Sequence, residues 1–236
     1  LKRDIRSQDH EPFLKAEQAV IPYIVIYLFE PTLMEYPDTS PRHLQFRYHS
    51  ITVLNKVLEG FNREAAIFYG EAHDVFKYLK ESFNIKALFS FRESGTKSTW
   101  QRDKKVRSFC KQHDIVWEES QRDGILRGIK NRDDWNKQWH TIMHAPLIQN
   151  SYSISKLKVL DHPFSLPKKL ENQLKEYPKQ YQPAGEQNAW RYLKSFAAQR
   201  GFNYQKYISK PFESRTSCSR LSPYLAWGNM SVKQAF

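Results

Sequence analysis

Short apolar runs alternate with amphipathic segments over the first half of the chain. Three runs have the length and composition of strands, at residues 19–29, Ala65–Tyr69 and 85–91. The first run is apolar at both alternations, which is typical of a parallel strand whose two sheet faces are both covered. A shorter fourth strand is predicted at residues 115–117.

Amphipathic helices are predicted between these strands. Ser40 stands as a capping residue before Pro41 at the first helical position, and apolar residues recur from Leu44 to Leu58 at steps of three and four. Two further helices follow the second and third strands. This alternation predicts a doubly wound α/β domain with a parallel sheet over residues 1–130.

Two common phosphate-binding motifs are missing from this domain. No Gly-x-Gly-x-x-Gly follows any predicted strand, and the chain contains no Walker loop. The usual dinucleotide and P-loop interpretations therefore have no support.

The pattern changes in the second half of the chain. Residues 131–185 are rich in proline and predict an inter-domain linker with one helix, over about 131–145. His140 and His144 lie one turn apart on that helix, but the sequence offers no third metal ligand. A helical region is predicted over residues 186–236.

Charge is distributed unevenly between the two halves. The formal net charge is +12. Residues 1–130 hold 21 Lys and Arg against 18 Asp and Glu, whereas residues 131–236 hold 16 against 7. The basic second half favours an anionic partner, most simply nucleic acid. The two cysteines, Cys110 and Cys218, imply no disulfide framework, so a reducing, cytoplasmic setting is expected.

A serine-rich stretch near the end carries the candidate chemistry. Ser222 before Pro223 predicts an N-cap and a helix start. The hydroxyl groups of Ser219 and Ser222 and the charge of Arg220 are suited to a phosphate group. On the pattern alone, an ordinary helix cap beside a surface arginine is favoured, because capping serines are common.

The residue order Ser219-Arg-Leu-Ser-Pro-Tyr-Leu-Ala-Trp-Gly-Asn-Met-Ser231 resembles the flavin-phosphate segment of the photolyase/cryptochrome family. Residues 2–10 and 100–106 resemble two further motifs of that family. The resemblance implies FAD as cofactor. The residues that it places at the flavin are Tyr207, Cys218, Ser219, Arg220, Leu221 and Ser222. Cys218 stands where the family has threonine, and a thiol is a weaker donor than a hydroxyl.

The family also implies an architecture. It predicts a five-stranded, Rossmann-like antenna domain whose first strand precedes Leu1, then the linker, then the start of an all-α flavin domain. Thr99 takes the place of a glutamate found in folate-binding members, so an antenna chromophore is possible but folate is not expected. A chain of this length is expected to hold flavin weakly or not at all and to contain no catalytic residue.

The function implied for the whole protein is a blue-light-dependent DNA photolyase. In that family, reduced excited flavin transfers an electron to a pyrimidine dimer in DNA, which splits. The expected protein is a monomer that binds damaged DNA and does not contact membranes. Two alternatives stay open: a cryptochrome-type light sensor without repair activity, and a flavin-free, basic nucleic-acid-binding module.

Overall fold

The computed structural model describes residues 1–126, 128–157 and 161–236. It contains four strands in two parallel pairs. Strand β1 (Val25–Phe29) pairs with β2 (Ala65–Tyr69), and β3 (Ala87–Phe91) pairs with β4 (Val116–Ser120). The α/β class and the parallel pairing are confirmed. The single five-stranded sheet is not observed in the part of the chain that the structure describes, and the fifth strand stays a prediction.

Helices surround the two strand pairs and form the second half of the chain. They are α1 (Glu11–Gln18), α2 (Pro31–Met34), α3 (Pro41–Leu58), α4 (Ala72–Ser82), α5 (Lys97–Gln112), α6 (Trp135–Met143), α7 (Lys168–Lys175), α8 (Glu186–Ala198), α9 (Tyr204–Tyr207), α10 (Ser214–Ser217), α11 (Ser222–Trp227) and α12 (Val232–Ala235). Within the described ranges, none of these helices has both the length and the apolar composition needed to cross a bilayer.

An apolar cavity of about 710 Å³ lies between the strand pairs and is lined by residues of both β1 and β3. The amino group of Leu1 donates to the carbonyl of Ile26 in its wall, at 2.8 Å. Since β1 pairs only with β2, and β3 only with β4, each of these two strands keeps one edge without a strand partner among the described residues.

The first predicted strand is shorter than expected. The sequence predicts a strand from residue 19, whereas β1 begins at Val25. Val20 has a left-handed backbone, with φ of 54°, and its side chain is 89% exposed. Pro22 has no N–H for a ladder. An apolar composition alone therefore does not extend the strand through these positions.

Helix α3 connects two hydrophobic cores. Ile51 and Leu54 are buried with β1 and β2 in the larger core. Phe46, from the same helix, is buried in a second core with Leu221 and Tyr224 of the C-terminal region. The α/β part and the helical part are thus packed against the same helix, which positions the serine-rich stretch relative to the sheet.

The linker is more ordered than the sequence predicts. Besides α6 it contains α7, whose Leu174 is buried in the larger core. Helix α7 packs along α3, where the Gln45 side chain donates to the carbonyl of Gln173 at 2.9 Å. The division into units at residues 130 and 185 is not tested by these contacts and stays a prediction.

Candidate functional site

The candidate cofactor segment is the loop Ser217–Ser222 between α10 and α11. Its backbone turns sharply at Arg220, a non-glycine residue with φ of 59°. Gln182 of the linker holds this turn from both sides. Its Nε2 donates to the Arg220 carbonyl at 2.6 Å, and its Oε1 accepts from Arg220 Nη2 at 2.9 Å. The side-chain amide thus stabilises a conformation that L-residues rarely adopt.

A second anchor of the segment is Arg200, which follows α8. Its guanidinium donates to the carbonyls of Cys218 and Ser219, the latter at 3.3 Å. It also donates to the Tyr192 carbonyl at 2.7 Å and to Ser195 Oγ at 3.0 Å. One side chain therefore fixes the segment's backbone to the end of α8, and it satisfies carbonyls that would otherwise lack partners.

The predicted contact residues differ in their surroundings. Leu221 is buried in the second core, so its side chain serves packing. Cys218 and Ser219 are half-buried, and Ser222 is exposed. No side-chain hydrogen bond to Cys218, Ser219 or Ser222 occurs in the described part of the chain. Their thiol and hydroxyl groups are therefore open to a ligand.

The predicted role of Ser222 as N-cap is wrong. Helix α11 begins at Ser222 itself, with Leu221 in the capping position and Pro223 in the first turn. Leu221 has helical backbone angles, and its side chain has no acceptor atom for the first-turn N–H groups. The Ser222 hydroxyl makes no cap bond as a result, and it is left for another partner.

Tyr207 lies outside the segment Ser217–Ser222. It ends α9, which packs beside α10. The ring of Tyr207 is half-buried, with the amines of Lys206 and Lys210 at 5.2 and 5.3 Å from its centroid. No hydrogen bond joins Tyr207 to Ser217–Ser222 among the described residues, so its predicted contact with the cofactor is untested.

The second half of the motif, Gly228–Ser231, lies in a buried contact with the N-terminal loop, which we call the joint. Gly228 ends α11 with φ of 73°. A Cβ at this position would lie 2.2 Å from the carbonyl oxygen of Arg3 and 2.5 Å from the Cα of Asp4. The Ile5 N–H donates to the carbonyl of Trp227 at 3.1 Å. Only glycine allows this approach.

Asn229 connects three segments at the joint through both polar atoms of its side chain. Its Nδ2 donates to the carbonyl of Ile5 at 2.8 Å. Its Oδ1 accepts from Ser50 Oγ of α3 at 3.0 Å and from the Gly185 N–H at 3.2 Å. The N-terminal loop, α3 and the start of α8 therefore meet at one buried amide, where an unmade bond would be costly.

Ser231 completes the joint. Its hydroxyl donates to Asp9 at 2.6 Å, and it also accepts from the Gln234 N–H as the cap of α12. The other carboxylate oxygen of Asp9 accepts from Lys233 at 2.8 Å and from the Ile148 N–H at 3.0 Å. The Ser231 hydroxyl is thus already used within the protein.

A buried Asp4–His10 pair lies beside the joint, and both side chains are 1% exposed. The Phe13 N–H donates to His10 Nδ1 at 3.2 Å, so Nε2 carries the proton and donates to Asp4 at 3.0 Å. Burial lowers the pKa of His10, against the opposing effect of Asp4. Burial alone would raise the pKa of Asp4, but the His10 hydrogen bond, the charge of the Leu1 amino group and the Lys2 N–H together outweigh it and lower that pKa.

The carboxyl ends of β1 and β3 hold an ion-pair network. Arg102 contacts Glu30 at 2.8 Å and Glu93 at 2.6 Å, and Arg3 contacts Glu93 at 3.0 Å. Burial raises the pKa of Glu30 despite Arg102, whereas the two arginines overcome burial and lower the pKa of Glu93. Thr99, in the position of the folate glutamate, donates to the carbonyl of Thr96 at 3.0 Å.

Comparison with known proteins identifies the family of the α/β part. A family model described as DNA photolyase matches residues 1–129, more than half of the chain. The chain belongs to the DNA photolyase family. No curated protein matches the sequence.

Solved structures share the photolyase fold over the whole chain. They include an archaeal photolyase from Sulfolobus tokodaii with two FAD molecules (TM-score 0.72, 18% identity). They also include a class III photolyase from Agrobacterium tumefaciens (0.76, 17%) and a cryptochrome from Synechocystis (0.73, 16%). Each match covers 100% of this chain and 52%, 51% and 53% of the other, so the chain spans about half the length of these proteins.

Two residues that shape the photolyase motif here were not found from the sequence. Arg200 and Gln182 both bind backbone carbonyls of Ser217–Ser222 from distant positions. Every residue has a backbone carbonyl, so a hydrogen bond to a carbonyl does not restrict the type of the accepting residue. The sequence of the motif therefore does not indicate these two contacts. The prolines around Gln182 are the one feature of the local sequence that bears on these contacts. They indicate a conformationally restricted loop but not the segment that the loop contacts.

Proposed function

We propose that this chain is the N-terminal part of a blue-light-dependent, FAD-containing DNA photolyase. One observation carries the proposal: the backbone of Ser217–Ser222 is held rigidly while the Ser219 and Ser222 hydroxyls are open. A pre-formed loop with free donors is suited to a phosphate group such as the pyrophosphate of FAD. The FAD described for the Sulfolobus tokodaii photolyase is consistent with this choice.

The residues present fit a phosphate on their own chemistry. Ser219 and Ser222 would donate hydroxyl protons to phosphate oxygens, and the Cys218 thiol would add a weaker donor. Arg200 and Gln182 would keep the loop in place, since their bonds are made to its backbone. Leu221 would fix the loop to the second core. Tyr207 stays a proposed contact on the resemblance alone.

A bound, reduced flavin would supply the chemistry by absorbing blue light and giving an electron to a pyrimidine dimer. The residues described here would hold the cofactor and contribute to binding DNA, and we assign no catalytic residue among them. Because the chain spans about half the length of the solved relatives, we expect it to hold flavin weakly by itself. The monomeric state and the cytoplasmic location are part of the same proposal.

The test of the flavin site is the double variant Ser219→Ala/Ser222→Ala in the full natural chain. Loss of two hydrogen bonds to a charged phosphate should weaken FAD binding at least about 100-fold. The visible absorbance of flavin per purified chain measures the effect. Ser214→Ala/Thr216→Ala is the matched control, since those hydroxyls donate to carbonyls of their own turn.

Flavin retention by the double variant at the level of the natural protein would contradict the proposed site. The control pair should leave the absorbance unchanged. Loss of flavin in both pairs would indicate damage to the fold and not to the site.

The second candidate, a cryptochrome-type sensor, is favoured by one observation: the Synechocystis cryptochrome matches this fold as well as the photolyases do. Light-driven splitting of pyrimidine dimers by the full natural chain separates the two. Dimer splitting supports the photolyase, whereas flavin photoreduction without splitting supports the sensor. DNA binding by a full natural chain that takes up no flavin would support the nucleic-acid-binding module.

A further inference from the structure

A cavity of about 600 Å³ lies beside Arg220. Of the six residues predicted at the flavin, Arg220 alone lines it. Its walls come from the linker, from α8 and from the neighbourhood of α10. We call it the tyrosine–arginine pocket, defined by Tyr177, Tyr181, Tyr192, Arg191, Arg215 and Arg220. Ser219 and Ser222 are not among the residues that line it, so it is distinct from the row of open hydroxyls.

The positive charge of this pocket is not compensated. Across the described residues, no carboxylate oxygen lies within 4.0 Å of its four cations, Lys179, Arg191, Arg215 and Arg220. Among the residues that the structure describes, the Arg220 guanidinium has one polar partner, the neutral amide of Gln182. Four unpaired cations around one concave surface create a positive potential that attracts anions.

Aromatic rings lie between these cations. Burial raises the pKa of Tyr177 to about 12, and its hydroxyl donates to the carbonyl of Gln182, so the ring stays neutral and fixed. The guanidinium of Arg191 lies 5.7 Å from the ring centroid of Tyr192. Rings interleaved with unpaired arginines are typical of surfaces that bind nucleic acid, where phosphates meet arginine and bases or sugars meet the rings.

The pocket is held in shape before any ligand arrives. Pro178 and Pro183 restrict the loop that forms one wall. The Tyr224 hydroxyl donates to the carbonyl of Pro183 at 2.7 Å, which fixes the end of that loop to the second core. The two bonds between Gln182 and Arg220 fix the opposite wall. A rigid site loses little conformational freedom when it binds.

We propose that the tyrosine–arginine pocket binds the phosphodiester backbone of a DNA strand. Arg191, Arg215 and Lys179 pair with successive phosphates, and Tyr181 and Tyr192 contact a sugar or base. The choice of DNA over another polyanion rests on the proposed function, whereas the anion site itself rests on the charges and rings alone. Arg220 belongs to the segment Ser217–Ser222 and also lines this pocket, so bound DNA lies next to the proposed flavin loop.

The test is DNA binding by the full natural chain in the dark, measured by the fluorescence anisotropy of a labelled oligonucleotide, single-stranded or duplex. Arg191→Gln/Arg215→Gln removes two exposed cations. The dissociation constant for DNA should rise about 10-fold or more. The negative slope of the logarithm of the binding constant against the logarithm of salt concentration should become less steep by about 1.5. Lys77→Gln/Lys105→Gln, which removes two exposed cations of α4 and α5, should leave that slope unchanged.

Three outcomes would overturn the proposal. An unchanged salt slope in Arg191→Gln/Arg215→Gln would show that DNA does not contact the pocket. Competition by polyglutamate as strong as by DNA would show a general polyanion surface. Displacement of the DNA by inorganic phosphate, at concentrations similar to those at which DNA itself binds, would show that the pocket is a site for small anions. None of these measurements requires flavin or light, so failure here is distinguishable from failure of the photolyase proposal, and unchanged circular dichroism confirms folding.

Discussion

The two halves of the motif Ser217–Ser231 have opposite surroundings. In Gly228–Ser231 every side-chain polar group has a partner inside the protein, and the backbone touches the N-terminal loop. In Ser217–Ser222 the backbone is held by Arg200 and Gln182. The side-chain thiol at 218 and the hydroxyls at 219 and 222 have no hydrogen-bond partner among the described residues.

Some residues of the motif are explained by contacts within the folded protein, and others are not. The glycine and the last serine of the motif are accounted for by contacts with Asp4 and Asp9. The serines at 219 and 222 are not accounted for by any contact that the structure describes. The proposed flavin phosphate would account for these two serines, whereas the second half of the motif is accounted for by folding alone.

The largest effect is expected from Gly228→Ala. A Cβ would meet the backbone of Arg3 and Asp4, and the left-handed φ adds strain, so the free energy of unfolding should fall by about 3 kcal/mol or more. Urea denaturation measures it. Gly60→Ala, where nothing lies within 4 Å of the added Cβ, is the control and should change little. Equal stability of the two variants would show that the joint is not closely packed.

A smaller effect concerns pH. Because the pKa of buried His10 is lowered, the unfolded chain takes up a proton that the folded chain does not. The contribution of His10 to the free energy of unfolding is fully present above about pH 6.5. Below that pH it decreases by up to about 1.4 kcal/mol per pH unit. His10→Asn should flatten this slope in urea titrations at several pH values. The exposed His73→Asn should not flatten the slope. An unchanged slope in His10→Asn would mean that water reaches the Asp4–His10 pair.

The smallest effect is expected from Cys218→Thr. A hydroxyl is a better donor than a thiol, so flavin retention in the full natural chain should improve by about 1 kcal/mol, or several-fold. The midpoint of urea denaturation should stay constant, since the described structure shows no bond to the Cys218 side chain. If flavin affinity is unchanged, residue 218 does not contact the cofactor through its side chain.

Local patterns predicted most of the α/β part. Strand β2 and helix α3 have the predicted bounds because their apolar periodicity is uninterrupted and their ends are marked by Gly70, Ser40 and Gly60. Helix α7 was not predicted, since its apolar positions, Leu170 and Leu174, fill less than two turns within a proline-rich stretch.

The joint could not be predicted in the same way. Gly228 meets Asp4, and Asn229 meets Ile5, across more than 220 positions of the chain. The residue types at the two ends of the chain do not reveal these contacts, because one partner in each contact is a backbone atom. The anchoring by Arg200 is hidden for the same reason. The motif could be located from the sequence, but its division into a structural half and an open half required the contacts.

The most direct test of that division compares flavin content and stability in one variant, Ser219→Ala/Ser222→Ala. The account predicts that flavin absorbance per chain falls strongly in the full natural chain while the midpoint of urea denaturation stays that of the natural protein. Retained flavin, or a lowered midpoint of the kind expected for Gly228→Ala, would show that these serines serve the fold and would contradict the account.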